Sequence, residues 1–217
     1  MRNLFFSAVL ATASLIGMTA TATAAEPIEA GKQYVELSSP VPVSKPGKIE
    51  VVELFWYGCP HCYAFEPVIN PWVEKLPSDV NFVRIPAMFG GPWDAHGQMF
   101  LTLEAMGVES KVHAAVFNAI QKEHKKLTDK NDMADFLATQ GVDKDKFLAT
   151  FDSFAIKGKI AQARDLAKKY EISGVPTMIV NGKYRFDVGS AGGAEQALQL
   201  ADKLVDKERA ANKAAAN

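Results

Sequence analysis

The chain has 217 residues, 48% hydrophobic and 23% charged, and its 24 Lys and Arg against 25 Asp and Glu leave a net charge of −1. This is the composition of an ordinary globular protein, and without a basic excess it lacks the electrostatic footprint on which nucleic-acid binding depends. Only two cysteines occur, Cys59 and Cys62, so a multi-bridge disulfide framework and a four-cysteine zinc site are excluded by number.

Arg2 precedes an apolar run from Leu4 to Met18 and then a tract of Thr and Ala ending at Ala25. The run is shorter than the roughly 20 residues a membrane-spanning helix needs, and Ala22-Thr23-Ala24 fits a small-residue cleavage site. Residues 1–24 therefore read as a secretory signal peptide cleaved near Ala24, with an uncleaved anchor as the competing reading. Export would place the mature protein where disulfides persist.

Residues 25–48 form a polar lead-in whose prolines, Pro27, Pro40, Pro42 and Pro46, forbid a helix but leave room for one short edge strand over Tyr34 to Leu37. Ile49 to Tyr57 is apolar at both parities and rich in β-branched and aromatic residues, as expected of a central strand covered on both faces. Gly58-Cys59-Pro60 ends it, and Pro60 suits the first position of a helix running toward Lys75, bent at Pro67 and Pro71. Val80 to Pro86 reads as a second strand, giving a parallel βαβ unit.

From about Ala95 to Tyr170 the apolar spacing turns helical, with Gly107 and Gly141 as stops and further helices near 131–140, 144–151 and 156–170. Thr177 to Val180, Asn181-Gly182 and Lys183 to Val188 spell strand, type I′ turn and strand. Gly192-Gly193 precedes a last amphipathic helix through about Asp206, and the tail over 211–217 is expected to fray. The order is βαβ, a helical block, then ββα, with no internal repeat and no flexible linker.

Cysteines three apart on the first turn of a helix face one side at a separation a disulfide can span. Cys59 at the helix start meets unpaired N–H groups and the positive dipole end, which favour a thiolate. Cys62, one turn in, fits a resolving role, and His61 between them can donate a hydrogen bond or lend positive charge to the Cys59 sulfur. Stabilising that thiolate stabilises the dithiol, so the disulfide becomes the high-energy form and is readily given away. A structural disulfide here would close a very small ring and constrain little chain entropy. A zinc site would need two more ligands, and His96, His113 and His124 are scattered along the helical block without paired spacing, as expected of solvated helix residues. Haem attachment needs a histidine directly after the second cysteine, where Tyr63 stands.

With Cys59-Pro60-His61-Cys62-Tyr63 after Phe55-Trp56-Tyr57-Gly58, and Gly174-Val175-Pro176-Thr177 before the hairpin, the chain resembles the DsbA family of bacterial periplasmic thiol:disulfide interchange proteins over essentially its mature length. The resemblance implies an α/β thioredoxin fold with an inserted all-helical domain, divided as 25–90, an insertion over 91–170, and 171–210. It also implies a monomer that oxidises reduced, unfolded secreted proteins, is re-oxidised by a membrane quinone reductase of the DsbB type, and needs no cofactor beyond the redox-active Cys59–Cys62 disulfide. The rival functions are a reductase or isomerase on the same fold and a non-catalytic holdase. An isomerase usually brings a dimerisation domain, for which residues 25–48 are too short.

By the same resemblance, Val175-Pro176 matches the cis-proline loop that lies against the cysteines and offers backbone hydrogen bonds to an extended substrate segment. Statistics alone would make Pro176 an ordinary trans proline, since only about 5 to 6% of X–Pro bonds in folded proteins are cis. Glu53, an acid inside an apolar strand, matches the family's buried glutamate and is either a proton-relay group for Cys62 or a salt-bridged or edge-exposed structural acid. Arg84 stands where the family often has a lysine, and arginine cannot give up its proton, so a relay shared by lysine and glutamate does not carry over. Trp56, Tyr63, Phe65, Met88, Phe89 and Trp93 are divided between core and a shallow groove for unfolded chains, with Trp93 and Met88 the expected surface contacts.

Overall fold

The computed structural model describes residues 28–215. The signal peptide and its cleavage near Ala24 lie outside the described residues.

Five strands form one mixed sheet in the order β1-β5-β4-β2-β3. β2 (Ile49–Phe55) pairs parallel with β3 (Val80–Pro86) and antiparallel with β4 (Thr177–Val180). β5 (Tyr184–Asp187) pairs antiparallel with β4, and β1 (Val35–Glu36) closes the edge against β5. All seven residues of β2 are buried because alternate side chains serve two cores. Val52 and Leu54 point into a core shared with the helical block. Ile49 and Val51 point into one formed with α1 (Pro60–Val73) and α7 (Ala194–Ala215), where Phe65, Ile69, Ala197 and Leu204 meet them.

Helices α2 (Pro92–Ala105), α3 (Glu109–Gln121), α4 (Lys130–Thr139), α5 (Lys144–Phe151) and α6 (Phe154–Lys169) are inserted between β3 and β4. Their starts are chemically marked: Asp129, Asp143 and Ser153 each accept backbone N–H bonds as N-caps of α4, α5 and α6, and Pro92 opens α2. The β4–β5 turn has Asn181 at φ 52° and Gly182 at φ 62°, both left-handed as a type I′ turn requires. Only glycine fits the second position, since a Cβ there would meet the Val41 carbonyl oxygen at 1.9 Å.

Two boundaries depart from the sequence reading. β2 stops at Phe55 rather than Tyr57 because the Cys59 N–H turns back to donate to the Trp56 carbonyl at 2.9 Å. The last helix runs to Ala215 instead of ending near Asp206, so residues 211–215, expected to fray, are helical, while 216 and 217 lie outside the described residues. The reason is a tether beyond Asp206. Glu208 is buried and accepts from Tyr184 Oη at 2.7 Å and Lys183 Nζ at 2.6 Å, and Arg209 Nε donates to Asp79 Oδ2 at 2.7 Å. Past that tether the alanine-rich sequence has high helix propensity and continues the helix.

Candidate active site

The strand-to-helix turn sets Cys59 as the N-cap of α1, with Pro60 at the first helical position. Cys59 Sγ accepts from the Cys62 N–H at 3.5 Å and lies 3.5 Å from the Val175 carbonyl oxygen. Both cysteines are free thiols; Cys59 keeps 7% of its surface and Cys62 none, so the two differ in access. The Val175–Pro176 peptide is cis, and the Thr177 hydroxyl donates to the Gly174 carbonyl at 2.8 Å, fixing the loop that faces the pair. His61 and Pro60 are exposed beside it. A groove of about 650 Å³ runs from His61 between the 173–177 loop and the 187–193 loop.

The two thiols are driven apart chemically. The Cys62 thiol, donating to Cys59 Sγ, is the largest influence on Cys59; burial opposes it, the Cys62 and His61 backbone N–H groups and the His61 charge assist, and Cys59 is lowered to about 6. Cys62 is pushed far up, first by burial and then by the bond it donates. The sequence reading credited the helix start and His61; the leading contribution is the partner thiol.

On the other side of the pair, Trp56 and Trp93 stack at 4.0 Å between centroids, and Phe89 lies 5.1 Å from Trp93. Phe89 is 48% exposed, whereas Met88, one of the two expected surface contacts, is buried over Gly97, and Phe65 is core. Tyr63 is half-buried and donates to Asn118 Oδ1 at 2.7 Å.

Glu53 is fully buried, and register places it opposite Arg84 on β3. Arg84 Nε donates to Glu53 Oε2 at 2.9 Å, and its Nη2 donates to Asn70 Oδ1 at 2.7 Å. Burial raises the Glu53 carboxyl above the ordinary range despite Arg84, and its charge in turn raises Cys62. An edge-exposed Glu53 is therefore excluded; it is ion-paired and electrostatically felt at Cys62.

Two of the three remaining histidines are not solvated. His96 and His113 are buried, because α2 and α3 turn those faces toward the sheet, and only His124 is exposed. His96 Nε2 lies 2.8 Å from the Lys126 carbonyl oxygen. His113 contacts Glu66 and Glu109, neither singled out from sequence, although the Cys62–Glu66 and Glu109–His113 spacings of four residues are the helical signal that was available. Among the described residues no group of three or more His, Cys, Asp or Glu is arranged to hold a metal ion.

A βαβ and ββα sheet carrying an acidic N-cap cysteine, a buried partner and a cis-proline loop defines a thioredoxin-fold thiol:disulfide oxidoreductase. The family model described as a DSBA-like thioredoxin domain matches residues 94–205. The thiol:disulfide interchange protein DsbA of Pseudomonas syringae pv. tomato is 80% identical over 99% of this chain and all of its own length. That of Pseudomonas aeruginosa is 70% identical over 98% of this chain and its whole length. The crystal structure of Pseudomonas aeruginosa DsbA superposes with a TM-score of 0.84 at 72% identity, covering 86% of this chain and 97% of that one. The chain belongs to the DsbA family of thiol:disulfide interchange proteins.

Proposed function

We propose that this protein is a periplasmic dithiol oxidase, exported by its N-terminal segment, that donates the Cys59–Cys62 disulfide to reduced, newly exported proteins. A substrate thiolate attacks Cys59 Sγ, the Cys59–Cys62 bond breaks, and Cys62 leaves and takes up a proton. A second substrate thiolate then attacks the substrate sulfur of the mixed disulfide, and Cys59 leaves as a thiolate. The substrate loses two electrons and two protons; the protein gains both electrons and keeps one proton on Cys62, the other going to solvent above pH 6. Re-oxidation requires an electron acceptor, for which a membrane quinone reductase of the DsbB type fits the family.

The observation that carries the direction is the separation of the two thiols, with Cys59 at about 6. At pH 7 a thiol lowered from 9.0 to about 6 favours the dithiol by about 1.4 kcal/mol, or about 30 mV for a two-electron couple. His61 tunes the Cys59 thiolate, and the Val175-Pro176 backbone docks an extended substrate segment along the adjoining groove. Equilibration with graded glutathione buffers tests the direction: the pair is expected to stay reduced until the buffer is strongly oxidising. A disulfide that survives in reducing buffer would make the protein a reductase.

Glu53 supplies the proton that Cys62 needs as it leaves and recovers it during re-oxidation. Cys62, buried and far above neutrality as a thiol, is otherwise a poor leaving group. Glu53→Gln is therefore expected to slow reaction of the disulfide with a reduced peptide on the order of 10²-fold at pH 7. Stopped-flow measurement of mixed-disulfide formation across pH reads this out, and an unchanged rate and profile would remove Glu53 from the mechanism.

A further inference from the structure

Behind the cysteine pair, side chains from several elements converge on one imidazole. On α3, His113 is 5% exposed, with Glu109 Oε1 2.7 Å and Tyr57 Oη 2.9 Å from Nδ1, and Glu66 Oε1 of α1 3.3 Å from Nε2. Glu66 is also 3.4 Å from Nη2 of Arg84 on β3, which binds Glu53 of β2 through Nε. Phe55, Phe100 and Phe117 pack edge-on around the ring at 5.4, 6.3 and 5.1 Å. Two carboxyl groups thus share one guanidinium, and a third, Glu109, has only the imidazole, all in apolar surroundings.

A neutral imidazole carries one N–H and one lone pair, whereas an imidazolium carries two N–H groups. A neutral ring could accept the Tyr57 hydroxyl at Nδ1, but its lone pair would then also face Glu109 Oε1 at 2.7 Å; the imidazolium sets positive charge against the carboxylate at each ring nitrogen. Charge points the same way, since Glu66 and Glu109 against Arg84 leave one uncompensated negative charge with a neutral ring and none with a protonated ring, and an ionised Glu53 adds one more to either count. Glu53 Oε1, Glu109 Oε1 and His113 Nε2 are all buried with no aligned hydrogen bond, so the ring and its carboxylates meet as charges, and the positive charge that can be added here is a proton. Arg84 cannot release one.

We propose that His113 is a positioning residue for the disulfide exchange: as an imidazolium between Glu66 and Glu109 it is the second cation of the buried cluster, and it sets the pH at which Glu53 exchanges its proton with Cys62. This rests on the proton-transfer role proposed for Glu53. The electrostatic directions agree with the geometry. Burial opposes charge on His113, yet Glu109 and Glu66 leave it above its ordinary value. Burial likewise opposes charge on Glu66, and His113 is the largest influence that overcomes it. At Glu53, burial raises, Arg84 lowers, Glu66 raises and His113 lowers. Tyr57 stays a neutral phenol, raised by burial and by Glu109.

The test is a pair of NMR titrations on the full mature dithiol protein, with the His113 ring and the Glu53 carboxyl assigned by through-bond correlation. The ring is expected to titrate above the ordinary imidazole value of 6.5. His113→Gln is expected to raise the Glu53 midpoint by about one pH unit, and His113→Lys to bring it back down. Loss of packing alone would lower the Tm and leave the Glu53 midpoint in place. A ring midpoint below 6.5, or a Glu53 midpoint unmoved in His113→Gln, overturns the proposal, and the ring titration in the unsubstituted protein decides even if the variant does not fold. If both titrations come out as expected but Glu53→Gln leaves Cys62 release unchanged, the link to the reaction falls through the Glu53 reading and the buried imidazolium stands.

Discussion

Replacing Cys59 by Ser is expected to lower the rate of disulfide transfer to a reduced peptide by at least about 10³-fold, because the replacement removes both the sulfur that is attacked and the group that leaves. Cys62→Ser should behave differently. It retains Cys59, the less buried of the two residues, at the helix start, so it should still form a mixed disulfide, yet without a buried partner it cannot cycle. The contrast is read by non-reducing electrophoresis and mass spectrometry after a pulse of oxidised glutathione, one half of which leaves as thiolate: a stable adduct in Cys62→Ser and none in Cys59→Ser. Adducts of equal yield in both variants would mean that the burial difference does not decide which sulfur reacts. Full retention of function in the double serine variant would replace the oxidase with a holdase.

That assignment was legible before any coordinates, because it needs only local signals. Pro60 and the polar break at Gly58 place both cysteines on the first helical turn, and Asn181-Gly182 fixes the hairpin that carries the proline loop. What the sequence did not disclose depends on long-range neighbours. His113 sits beside Val112, Val116 and Phe117, but a helical stripe says nothing about the Glu66 carboxylate that α1 brings to it or the Arg84 guanidinium that β3 sets against that carboxylate. Met88 and Phe89 adjoin, and only the packing of Met88 over Gly97 decides that Phe89 faces outward. The end of α7 was misread for a similar reason. Its tether at Glu208 consists of partners on β5 and the turn before it, more than 20 residues away in sequence.

The standard potential of the pair is expected to bend with pH at the Cys59 midpoint. Below about pH 6 both sulfurs take up protons on reduction, so the potential falls by about 59 mV per pH unit; above it only Cys62 does, and the slope halves to about 30 mV. The sign follows from linkage. Cys59 is lowered on folding from 9.0 to about 6, so its contribution to the stability of the dithiol form is complete above pH 9 and is lost as pH falls through 6. It amounts to about 2.7 kcal/mol at pH 8, about 1.4 at pH 7 and almost nothing at pH 5. Urea unfolding of the dithiol and disulfide forms at pH 5 and pH 8 should show the dithiol gaining that difference at the higher pH, and thiolate absorbance near 240 nm gives the midpoint directly. Cys62→Ala, which no longer forms the disulfide, separates the causes through the thiolate absorbance alone: because the Cys62 thiol is the largest influence on Cys59, its removal should raise the Cys59 midpoint. A Cys59 midpoint that stays near pH 6 in Cys62→Ala would return the credit to the helix start and His61, and a slope of 59 mV through pH 8 in the unsubstituted protein would leave no thiolate to drive the oxidation.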